Sequence, residues 1–192
     1  MKTELKPKEF YLKRILDHEK ADEVIRGVGY EDGKGCSIGC TLNNYSHAAY
    51  EKAGIGPEWL AIVQDRLFDG MNSDKAKTWT SVITKAIPDR LHGKTDHADW
   101  DKVKAKFMIV VLKSALESFD HAKYPDVKKS IDGSIKIWKR KDIDSAEFKS
   151  AAYAAAYAAN AAAWAANAAY AACVAKFDYF ADELVKILRR AK

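Results

Sequence analysis

The chain is poor in the residues that build secreted or disulfide-stapled folds. It has 3 cysteines among 192 residues, an odd number that excludes a fully paired disulfide framework. Prolines number 4, so few segments are barred from helix. The opening stretch, Met1-Lys2-Thr3-Glu4-Leu5-Lys6-Pro7-Lys8, lacks the apolar core of a signal peptide. Neither sign of charge dominates. With 32 Lys/Arg against 27 Asp/Glu the net charge is +5, which permits acidic partners without requiring one. These shortages predict a cytoplasmic protein with reduced thiols. Because 48% of the residues are hydrophobic, a chain of this length can bury a core of its own.

Alanine is in excess. Residues 151–175 hold 17 alanines and no charge, interrupted by Tyr153, Tyr157, Asn160, Trp164, Asn167, Tyr170, Cys173 and Val174. Alanine loses almost no side-chain entropy in a helix. Asp144 and Glu147 form a capping-box pattern ahead of the tract. A long helix over 144–190 is therefore predicted, roughly 65 Å at 1.5 Å per residue. It is not expected to span a membrane, since alanine contributes little insertion energy and two asparagines would need partners in lipid.

At about 100° per residue, Tyr153, Tyr157, Asn160, Trp164 and Asn167 fall on one face, and Tyr170 begins a second. An uncharged wall of this length would be poorly solvated if bare. It reads as a buried helix or as a contact surface, with Tyr153, Tyr157, Trp164 and Tyr170 as its bulky contacts. Self-association or a protein partner through 151–175 is the expectation that follows.

Other start and stop signals predict helices at Lys8–Val24, Tyr45–Ala53, Pro57–Gly70, Asp74–Ala86, Asp96–Ala122 and Pro125–Arg140. The run Phe107 to Leu112 is apolar on all sides, but its helical flanks favour helix over strand. The predicted fold is all-α: a single domain over 1–192, a bundle of about seven helices with a long alanine-rich C-terminal helix.

Between the first two helices, a loop from Gly27 to Leu42 holds five of the ten glycines. Glycine permits positive φ and close backbone approach, so this loop is the candidate chemical site. Its ligand-binding candidates are Asp32, Gly33, Lys34 and Gly35. The phosphate-loop spacing fails, because three residues rather than four separate Gly29 from Gly33-Lys34, and Gly35 follows in place of Ser or Thr. The dinucleotide fingerprint fails as well, with Asp32 at its third glycine.

Cys36 and Cys40, with His47 seven residues on, are the candidate catalytic residues. A thiol near a helix N-terminus would be activated, with His47 as its base. The same three are weak metal candidates, because structural zinc sites use C-x₂-C and a second ligand pair. No metal and no cofactor are assigned. Asp65 and Asp69, one turn apart, read as a solvated pair.

Lys136, Lys139, Arg140 and Lys141 surround Trp138. Cations beside an aromatic suit phosphates and bases, and equally suit a solvated helix end. Three functions follow. The leading one is a non-enzymatic interaction or scaffold protein that uses the alanine/aromatic face. The alternative is a small enzyme or ligand-binding protein, thiol or metal dependent, centred on 27–47. The third is weak nucleic-acid binding through Lys136–Lys141.

Overall fold

The computed structural model describes residues 5–118, 120–140 and 170–191, and of residues 170–172 the backbone alone. The fold is all-α. Its only sheet among the described residues is a hairpin of two-residue strands. The chain divides into two compact units, Met1–Trp100 with Val174–Lys192, and Asp101–Cys173.

The first unit opens with α1 (Lys8–Lys20), which buries Tyr11, Ile15 and His18 along one stripe. Segment 27–42 is not the continuous loop that the sequence predicts: it contains β1 (Tyr30–Glu31), β2 (Lys34–Gly35) and then α2 (Ser37–Leu42). Asp32 at φ 48° and Gly33 at φ 80° both take positive φ. That is the requirement of the two-residue turn whose twist matches a hairpin, and Asp-Gly meets it cheaply.

Next come α3 (His47–Lys52), α4 (Glu58–Gly70) and α5 (Ser73–Ala86). Ser46 caps α3 by accepting from Ala49 N–H, and Asn72 caps α5 by accepting from Asp74 N–H. A 3-10 turn, Asp89–Leu91, leads into α6 (Ala98–Leu116). Within this unit, α2 touches α1, α3, α4 and β2, so this short helix lies at the centre.

A buried polar network holds α2 in place. Gln64 Nε2 donates to Ser37 Oγ at 2.5 Å, Thr80 Oγ1 donates to the same oxygen at 3.0 Å, and Tyr50 OH donates to Gln64 Oε1 at 3.1 Å. Four helices are cross-linked by groups that would each be costly to leave unmade.

The last helix, α8 (Tyr170–Arg190), contributes Ala181, Leu184, Val185 and Leu188 to the buried residues. Its Phe177 ring lies where a Cβ on Gly70 would be, and Asp178 Oδ1 accepts from Asn72 N–H at 3.0 Å. The predicted 144–190 helix is described from Tyr170 onward. Its earlier part, including Tyr153, Tyr157 and Trp164, lies outside the described residues, as does the Tyr170 side chain.

In the second unit, α6 packs against α7 (Pro125–Lys139). Ile131, Ser134, Ile135 and Trp138 are buried at i, i+3, i+4 and i+7, the spacing of one helical face. Leu112 and Ala115 of α6 meet Ile131, Ile135 and Trp138. The helix α6 ends six residues earlier than the sequence suggests. Asp120 Oδ1 accepts from the backbone N–H groups of Ala122 and Lys123, a local bond that competes with helix.

Candidate functional site

The Gly-rich segment folds as a tight knot. A Cβ on Gly39 would collide with the carbonyl of Gly29, one on Gly35 would strike the same oxygen, and one on Gly29 would enter the Tyr45 ring. These three glycines, among them the ligand-binding candidate Gly35, therefore let the backbone pack on itself. At the hairpin tip, Asp32 and Lys34 are exposed, and Gly33 supplies turn geometry.

Both loop cysteines lie under this knot. Cys36, 2% exposed, precedes α2, and its N–H donates to Val28 O at 2.8 Å. Cys40 is fully buried, and its thiol donates to Gly35 O at 3.3 Å. Burial pushes both thiols up to about 12, with the Asp65 carboxylate adding to the effect at Cys36 and Glu23 at Cys40. The helix N-terminus that was expected to activate a thiol is outweighed by desolvation. At neutral pH both remain thiols. Among the described residues, no group of three or more His, Cys, Asp or Glu side chains is placed to hold a metal ion.

The pentapeptide Gly35-Cys36-Ser37-Ile38-Gly39 has the Gly-x-Ser-x-Gly spacing of a serine nucleophile elbow. That motif needs a strained, exposed serine beside a histidine. Ser37 is fully buried, is absent from the positive-φ residues, and binds Gln64 and Thr80. Its role is structural.

The chemistry converges instead on Asp65, which corrects its reading as a solvated residue. Asp65 lies in the middle of α4, between Ala61 and Phe68 on the buried face. Its side chain is 11% exposed. The Tyr45 hydroxyl donates to Oδ2 at 2.7 Å, and His47 Nε2 lies 3.2 Å from the same oxygen. The rings of Tyr45 and His47 meet edge to face, with centroids 5.3 Å apart. The carboxylate of Asp65 pushes the Tyr45 phenol up to about 12, chiefly through the hydrogen bond it accepts. Asp69, one turn on, is raised by its own burial and by the charge of Asp65.

Asp65 Oδ1 is buried and accepts no hydrogen bond of normal geometry from the described residues, while the Cys36 thiol lies beside the same carboxylate. An ionised carboxylate can only accept, so Nε2 of His47 is the donor of their bond. The neutral ring then carries its lone pair on Nδ1, which has no hydrogen-bond partner among the described residues. His47 was predicted from the sequence, and Tyr45 and Asp65 were not. The signal for Asp65 was its place on the apolar stripe of α4.

A second polar feature lies beside α1. A groove of about 370 Å³ is lined by Phe10, Lys13, Arg14, Asp17, His18, Glu23 and Asn43. Its groups are largely paired with one another: Lys13 with Asp17, and His18 with Glu23 at 2.7 Å and Asn43 at 2.9 Å.

Comparison with protein-family models, curated proteins and solved structures finds no match to this chain. No helix among the described residues is long and apolar enough to cross a membrane.

Proposed function

We propose that this is a small-ligand-binding protein with acid–base chemistry at His47, positioned by Asp65. One observation carries the reading. A buried carboxylate on α4 holds the imidazole through one oxygen, with the Cys36 thiol beside the same carboxylate, and leaves the Nδ1 side of the ring open. A ligand with a hydrogen-bond donor, such as an amine, amide or hydroxyl, would donate to the open Nδ1 of His47.

The Asp65–His47 pair supplies the proton chemistry. A carboxylate that fixes the Nε2–H tautomer leaves Nδ1 as the proton acceptor and stabilises the imidazolium that forms. The protonated state of Cys36 and Cys40 argues against a thiolate mechanism. Both are free and belong with the packing of the knot.

The test is a ligand-observed NMR screen of the full chain against small amines, amides and alcohols. Binding that disappears in both Asp65→Asn and His47→Gln supports the reading. No binder at all, or binders indifferent to both substitutions, overturns it.

A further inference from the structure

The surplus of positive over negative charge in this protein comes from one stretch. Residues 101–140 hold ten Lys/Arg and five Asp/Glu, and that surplus equals the +5 of the whole chain. The remaining residues balance, with 22 of each sign. A charge asymmetry of this kind is the electrostatic footprint of a polyanion-binding surface.

The helices of the second unit arrange those charges. Lys129 and Lys136 are seven residues apart on α7, on the side away from Ile131, Ile135 and Trp138, and Lys139 flanks them. Lys106 and Lys113 repeat the seven-residue spacing on α6. All five are exposed. Seven residues of helix place successive lysines about 10.5 Å apart along each axis.

We propose that these lysines of the α6–α7 pair form a docking surface for nucleic acid, held through its phosphates. A membrane surface fits less well, because the apolar face of α7 is buried against α6 and offers nothing to insert. Tyr124, 44% exposed at the start of α7, adds an aromatic ring on which a base can stack. Lysines bind phosphate as point charges, so the surface reads the backbone and not the sequence. This inference is independent of the His47–Asp65 site.

The experiment is fluorescence anisotropy of the full chain with labelled single-stranded and duplex DNA of about 25 nucleotides, over a range of salt. Five phosphate contacts predict a log–log slope of about −3.5 for single strands and −4.5 for duplex. Affinity then falls on the order of 10²–10³-fold between about 50 and 200 mM salt. Replacing Lys106, Lys113, Lys129, Lys136 and Lys139 with Gln should weaken low-salt binding at least about tenfold and flatten the slope. The comparison variant replaces exposed Lys20, Lys52, Lys77, Lys85 and Lys94 of the first unit, the same change in net charge. It should keep the slope. If the first variant loses helical circular dichroism, the pairs Lys106→Gln/Lys113→Gln and Lys129→Gln/Lys136→Gln are tested separately. No binding at the lowest salt overturns the proposal, and so do equal effects from the two five-lysine variants. Binding to phosphatidylserine vesicles without binding to DNA assigns the surface to lipid and overturns it as well.

Discussion

The hydroxyl of Tyr45 donates to Asp65 Oδ2 across 2.7 Å, joining the segment ahead of α3 to the middle of α4. The bond makes stability depend on alkaline pH. The folded-state phenol is raised from 10.0 to about 12, so its stabilisation is present below pH 10 and is lost as pH climbs from 10 towards 12. Cys36 and Cys40, raised from 9.0 to about 12, act with the same sign, beginning near pH 9. The urea midpoint should therefore fall steadily above pH 9. In Tyr45→Phe the fall should be shallower, while Tyr50 and Tyr11, both raised by burial, keep contributing with the same sign. A midpoint that holds level through pH 10.5 would contradict the burial of the two thiols and the Tyr45–Asp65 hydrogen bond.

Thiol labelling gives an independent reading of the same burial. Cys173 is half-buried, whereas Cys36 and Cys40 lie under the glycine knot. With a disulfide reagent at pH 8, one thiol should react quickly. The other two should react at least about 100-fold more slowly until denaturant is added. Modification of Cys36 as fast as Cys173 would restore the activated-thiol reading.

Two glycines should respond oppositely to alanine. At Gly39 a Cβ has no room against the Gly29 carbonyl, and the backbone must shift. Gly39→Ala is expected to cost more than about 3 kcal/mol, within the range of severe backbone or packing changes. Gly133 lies inside α7 with nothing within 4 Å of the Cβ position. Gly133→Ala should stabilise by about 0.5–1 kcal/mol, the helical preference for alanine. Chemical denaturation of the two variants checks both signs.

The parts of the fold legible in the sequence are those with local causes. Asn72 and Pro88 bracket α5, and Pro125 opens α7 with its i, i+3, i+4, i+7 apolar face, so boundaries there are close to those observed. The Asp32-Gly33 turn was equally local, but strands of two residues carry no periodicity to flag them. Asp65 was misjudged because a charged side chain outweighed its place between Ala61 and Phe68 on an apolar stripe. The convergence of Tyr45 and His47 on it, from 20 and 18 residues away, is a tertiary fact with no local trace. The buried role of Ser37 is of the same kind, since Gln64 and Thr80 reach it from α4 and α5.

The function proposed for this site turns on which nitrogen of His47 carries the proton. A long-range proton–nitrogen correlation NMR spectrum of the ¹⁵N-labelled full chain reads this directly. The neutral ring is expected to be the Nε2–H tautomer in the wild type, and Asp65→Asn is expected to weaken this preference. A neutral His47 protonated on Nδ1 would contradict it, because the ring could then neither donate to Asp65 nor accept a proton on its open side.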